Sequence, residues 1–145
     1  MKEIKTVLTE KLGIQYPIIA ACMQWISKAE LVAAVSEAGG LGVLSSSTFF
    51  TAEELRAEVK KVKSMTDKPF AVNITFLPAS FEPDFDGYIR VCKEEGVKII
   101  ETAGRIPSPE RIAAIKDAAF WMHKCTIVKH ALKAQNAGCD LIIAD

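Results

Sequence analysis

No excess of either charge marks this sequence. Its 18 lysines and arginines balance 18 aspartates and glutamates over 145 residues, so no basic face recommends nucleic acid or an anionic membrane surface. No apolar run approaches the roughly 20 residues needed to cross a bilayer. The N-terminal stretch MKEIKTVLTEKL interleaves charges with apolar residues and lacks the unbroken apolar core of a secretory leader. A cytoplasmic location is therefore the expectation. Histidine is scarce, with 2 in the chain, and the 4 cysteines (Cys22, Cys92, Cys125 and Cys139) form no CxxC pair. Such spacing suggests neither a zinc site nor a disulfide framework, and reduced, buried thiols are the simpler expectation. His123 and Cys125 lie two apart on one face of a strand-like run, but two ligands do not make a metal site.

Several motifs are missing as well. There is no GxGxxG after the first strand-like run, no GxxxxGK[ST] and no GxSxG. A dinucleotide fold of the Rossmann type, a P-loop and a nucleophile elbow all lose ground. Gly39-Gly40-Leu41-Gly42 is glycine-rich, yet it precedes a strand and does not open a helix. It reads as a helix stop and not as a phosphate cradle.

What is present is a regular alternation. Half the residues are hydrophobic (50%) and a quarter charged (25%), which suits one globular domain with a sizeable core. PIIAAC from Pro17, LGVLSS, FAVNITF, VKIIETA, FWMHKC and DLIIAD read as short apolar strands. Helices separate them. Ser27-Lys28-Ala29-Glu30 and Thr51-Ala52-Glu53-Glu54 have the form of capping boxes. Ser108 with Pro109 announces another helix start, and Thr126 is placed to cap a further one. This is the βαβ grammar of a parallel sheet covered on both faces. Two architectures fit: an open doubly wound sheet, with a switch point in its strand order, or the first six units of a (β/α)8 barrel.

The strand ends carry the polar residues. Asn73 and Thr75 are two apart and share a face. Lys124 faces opposite to His123 and Cys125, and Asp145 is in phase with Leu141 and Ile143. Glu101-Thr102 ends a further strand. An amide, a hydroxyl, a lysine and a carboxylate thus converge on the C-terminal rim, where parallel α/β enzymes bind ligands. A lysine flanked by apolar positions must reach solvent or find an anion. The stretch from Leu77 to Gly87 is the one sizeable candidate lid.

Five segments in order, MQW (Met23 to Trp25), AGGLG (Ala38 to Gly42), DKPFAVNIT (Asp67 to Thr75), ETAG (Glu101 to Gly104) and HKCT (His123 to Thr126), together resemble the FMN-dependent nitronate monooxygenases, formerly called 2-nitropropane dioxygenases. HKCT followed by VKHALKA is similar to the branch of bacterial NADH:quinone reductases. The resemblance implies a TIM (β/α)8 barrel with FMN at its C-terminal mouth. Residues 1–145 would be the N-terminal part of a single FMN-binding domain, supplying about its first six βα units. It further implies that Cys22, Met23 and Gln24 line the isoalloxazine ring, with Met23 packed against it. Asn73 and Thr75 match positions beside the flavin. Lys124 matches a lysine suited to the ring edge that gains negative charge on reduction, and Asp145 matches the aspartate opening a glycine-rich motif. The chain departs from the family at Ala20, Ala21 and Cys22, where Gln, Gly or Pro is common.

The family's histidine base would lie beyond Asp145. Neither His123 nor His130 matches it, so no catalytic residue is assigned within the chain. The loops holding the FMN phosphate would lie beyond Asp145 too. Two activities follow from the resemblance: oxidation of alkyl nitronates with O2 to a carbonyl compound and nitrite, or transfer of electrons from NADH to a quinone. In both, the partners expected are small molecules. An expectation of another class is a chain inactive by itself. Six units alone would leave unpaired strand edges and bare helix faces, favouring self-association or a need for further units.

Overall fold

The structure is a computed structural model that describes residues 4–77 and 81–145. Three residues of the expected lid, 78–80, lie outside the described residues. The elements in chain order are α1 (Val7–Leu12), α2 (Ala29–Glu37), β1 (Gly42–Ser45), a 3₁₀ turn (Ser46–Thr48), α3 (Ala52–Met65), β2 (Phe70–Phe76), α4 (Phe85–Glu94), β3 (Ile99–Gly104), α5 (Pro109–Ala118), β4 (Phe120–Cys125), α6 (Val128–Asn136) and β5 (Leu141–Ala144). Among the described residues no helix is long and apolar enough to cross a membrane.

All strand pairs are parallel and their order is sequential, β1-β2-β3-β4-β5. No switch point exists among these strands, which rules out the doubly wound alternative here and makes the sheet an arc of a TIM barrel. The expected first strand, PIIAAC, is reduced to one parallel bridge, Ile19 to Leu41. Its ladder consists of Leu41 N–H donating to Ile18 O at 2.9 Å and Ala20 N–H donating to Leu41 O at 3.0 Å. Pro17 has no N–H to extend it backward, and the chain turns away at Met23. Gly42 then passes so close to α2 that an added Cβ would lie 2.2 Å from the Val32 carbonyl oxygen, so only glycine fits there.

Strand alternation sorts the side chains into two cores. Outward-facing Val72, Ile74, Ile100 and Trp121 pack with Leu55, Val59 and Val62 of α3, Tyr88 and Val91 of α4, and Ile115 of α5. Inward-facing Ala71, Ile99 and Met122 pack with Leu41, Val43, Leu12 and Ile14. Each fully buried aliphatic side chain contributes about 1.5–3 kcal/mol, so the arc is held chiefly from its helical side. At its flanks Ile18 (62% exposed), Val128 (75%) and Leu132 (52%) present apolar surface.

Helix starts follow the sequence in part. Thr51 forms the full capping box with Glu54, Ser108 accepts from Arg111 N–H with Pro109 behind it, and Asp84 caps α4 by accepting from Gly87 N–H at 2.8 Å. The last residues of the expected lid are therefore helix. Two expected caps are replaced by other contacts. Ser27 does not cap α2: its Oγ accepts from Met23 N–H at 2.9 Å, and Glu58 of α3 instead accepts from the free Ala29 N–H at 2.8 Å. Thr126 yields to Ile127 as the residue before α6, with no side-chain cap. Thr51→Ala should cost about 1 kcal/mol, read as a lower urea midpoint that Thr51→Ser restores.

Candidate active site

The inner face of β2 to β5 carries a connected polar path. The register pairs Asn73 with Glu101 and Thr75 with Ala103, then Ala103 with Lys124 and Lys124 with Ile143. Thr75 Oγ1 donates to Asn73 Oδ1 at 2.8 Å, and Asn73 Nδ2 donates to Glu101 Oε1 at 2.8 Å. Asn73 and Glu101 are buried at 0% and 2% exposure. Lys124 Nζ lies 3.9 Å from Asp145 Oδ2, and Asp145 N–H extends the ladder by donating to Cys125 O at 3.1 Å. Burial pushes the Glu101 carboxyl above the usual carboxylate range, a push that the Asn73 hydrogen bond and the Lys124 charge oppose.

Above this floor lies an open cavity of about 810 Å³, walled by Cys22, Gln24, Ser45, Ser47, Thr75, Gly104, Arg105, Lys124, His130, Lys133 and Asp145 among others. Its size suits a cofactor-sized ligand. Gly104 ends β3 with φ +80°, and a Cβ there would lie 2.7 Å from Leu77 Cγ, so glycine keeps the rim open. On the other side the chain makes a tight turn from Met23 to Ser27. Ser27 N–H donates back to Met23 O at 2.8 Å, and Trp25 sits at φ +69°, held by its N–H donating to Thr48 Oγ1 at 2.9 Å. A bulky residue in this backbone region is uncommon and marks a tightly constrained segment. Gln24 Nε2 donates to Ser47 O at 2.7 Å.

The sequence-expected residues are thus brought together unequally. Cys22, Gln24, Thr75, Lys124 and Asp145 share the cavity wall. Asn73 lies beneath it. Met23 is 42% exposed, with its N–H committed to Ser27. Sequence reasoning noted Glu101 at a strand end but did not place it in the site, and it missed Ser45, Ser47, Arg105 and Lys133. Residue parity on β3 was the available signal for Glu101. His123 points the other way, into the helical layer. Its Nδ1 is 2.8 Å from Thr102 Oγ1, which also accepts from Trp121 Nε1 at 2.7 Å. Nε2 is buried without a partner, and burial lowers this imidazole's pKa, so it is a neutral strut between β3 and β4.

Burial, with a smaller push from Glu101, raises the Cys22 thiol to about 11. A thiolate is the reactive form. Cys22 should therefore resist alkylation near neutral pH and react only as the pH approaches that value, as mass spectrometry of iodoacetamide-treated protein would record.

The sequence pattern of one family, described as nitronate monooxygenase, matches residues 5–145. This chain belongs to that family. Among relatives, it is 39% identical over 141 residues to the (3aS,4S,5R,7aS)-5-hydroxy-7a-methyl-1-oxo-octahydro-1H-indene-4-carboxyl-CoA dehydrogenase of Mycobacterium tuberculosis, covering 97% of this chain and 38% of that protein. Among solved structures, FabK from Thermotoga maritima superposes with a TM-score of 0.86 at 32% identity, covering 97% of this chain and 44% of that one. A nitroalkane oxidase from Streptomyces ansochromogenes superposes with a TM-score of 0.82 at 26% identity, covering 97% and 48%. The chain thus spans less than half the length of each of these three proteins.

Proposed function

We propose that the protein carrying this chain is an FMN-dependent oxidoreductase of the nitronate monooxygenase type, which oxidises alkyl nitronates with O2 to a carbonyl compound and nitrite. Residues 1–145 form the N-terminal part of its single FMN-binding barrel domain. The observation that carries this reading is Lys124. It projects from the inner face of β4 into a cavity at the strand ends, and its carboxylate neighbour Asp145 is at the long distance of 3.9 Å. An ammonium so placed is free to meet an anion or a ring edge that becomes electron-rich.

The donor set fits a flavin. Bound here, FMN supplies electron acceptance and the reaction with O2. Lys124 would hold the group by its ammonium and stabilise negative charge that it gains. Thr75, whose hydroxyl hydrogen is given to Asn73, would offer its oxygen as an acceptor, Gln24 would offer the rest of its amide, and Cys22, neutral as a thiol, would pack without adding charge. Asn73 acts from below by fixing Thr75 and Glu101 through its two hydrogen bonds.

Quinone reduction with NADH is the second reading, favoured by the HKCT run around Lys124. Steady-state turnover of the full-length protein with propyl nitronate plus O2, set beside NADH plus benzoquinone, separates the two. The first reading requires nitronate turnover to dominate. Negligible nitronate turnover beside rapid quinone reduction would overturn it.

A further inference from the structure

Glu101 is a buried acid that the proposed chemistry leaves unused. It is 2% exposed on the cavity floor, and its hydrogen bond is to a neutral amide, Asn73 Nδ2, at 2.8 Å. Lys124, whose charge reaches it, makes its ion contact instead with Asp145 at 3.9 Å. A buried carboxylate without a cation against it is costly, and such groups neutralise by taking up a proton. The Asn73 amide can also donate to an acid carbonyl, more weakly than to a carboxylate, so the hydrogen bond is weakened but not lost on protonation.

We propose that Glu101 is a proton-holding residue that sets the charge Lys124 presents to the cavity. As the neutral acid it leaves the ammonium only its long contact with Asp145, and so available to an anionic ligand group. As the carboxylate it offsets that charge from beneath. The groups facing it are Asn73 from β2, Met122 and Lys124 from β4, Cys22 from the rim turn and Asp145 beyond β5. Burial disfavours the carboxylate most, the Asn73 hydrogen bond and then the Lys124 charge favour it, and Asp145 disfavours it. An anion on Lys124 removes the field that supports the carboxylate. Anion binding and protonation of Glu101 therefore reinforce each other, by the reciprocity of linked equilibria. Glu101 is a positioning residue, since it acts on the ligand through Lys124.

The ligand side of this proposal rests on the flavin reading, whereas the proton side does not, and the experiment separates them. Urea stability is measured against pH for wild type, Glu101→Gln, Lys124→Gln and the double variant, without ligand. A carboxyl whose folded pKa is raised contributes stability below the unfolded glutamate value of about 4.3 and loses it as pH rises through the folded pKa. Glutamine stays neutral throughout. Glu101→Gln should therefore be more stable than wild type at about pH 8, with the gain vanishing towards about pH 4. In the Lys124→Gln background the gain should be larger, because the ammonium no longer supports the carboxylate. Equal stability of wild type and Glu101→Gln at every pH overturns the proposal, as does a gain that ignores Lys124. The second arm follows the reduction potential of bound FMN against pH. Wild type should show a bend that Glu101→Gln lacks, and superimposable curves overturn the ligand side. Failure to bind FMN at all defeats the flavin reading and the ligand side with it, while the urea arm still decides the proton on Glu101.

Discussion

Replacing Lys124 by methionine is expected to lower turnover of the full-length protein by about 10²- to 10³-fold, the usual effect of removing one group that stabilises developing charge. The loss should appear in kcat as well as in kcat/KM, because the ammonium meets negative charge that grows during reaction. Stability should hardly move at acid pH, where Glu101 is protonated, and should fall at higher pH only by the support the ammonium gives the Glu101 carboxylate. The ion contact with Asp145 is long, 3.9 Å, and Asp145 is 63% exposed at its side chain, so it contributes well under about 1 kcal/mol. Methionine keeps the apolar stem that packs along the inner face. A variant that retains full turnover, or that loses it only by unfolding, would remove Lys124 from the site.

The largest expected effect on stability is at Trp121. Trp121→Ala should cost about 3–5 kcal/mol, measured as a shift in urea midpoint with an unchanged slope. The indole is fully buried at 0% exposure in the layer between the sheet and the helices. Its Nε1–H donates to Thr102 Oγ1 at 2.7 Å, and Thr102 in turn holds His123. Truncation empties a large volume and also loosens the contact that fixes β3 against β4, on whose opposite face Glu101 and Lys124 sit. Trp121→Phe should recover most of the packing and leave the Thr102 hydroxyl without its donor, a residual cost of about 1–3 kcal/mol. An alanine variant as stable as wild type would mean that the helical layer does not hold the arc.

Much of this architecture is legible in the residues themselves. FAVNITF and FWMHKC alternate cleanly and become β2 (Phe70–Phe76) and β4 (Phe120–Cys125) at the expected boundaries. The same alternation places Asn73, Thr75 and Lys124 inward and His123 outward, because side-chain direction follows a period of two whatever the surroundings. Local signals fail where tertiary partners outbid them. Ser27 is recruited by the Met23 turn and Glu58 from another helix takes over its cap, which no four-residue window contains. The left-handed backbone at Trp25 is invisible for the same reason, since it depends on Thr48. Glu101 requires the pairing of β2 with β3 before its amide partner is known.

The central claim is that the rim around Lys124 is a flavin site. Its most direct test is FMN binding, followed by flavin fluorescence and visible absorbance in the full-length protein and its Lys124→Met variant. One FMN per protein chain, bound by the wild type and released or clearly weakened in the variant, is the predicted result. A wild type that takes up no FMN, or a variant that binds it with undiminished affinity and an unaltered spectrum, would contradict it.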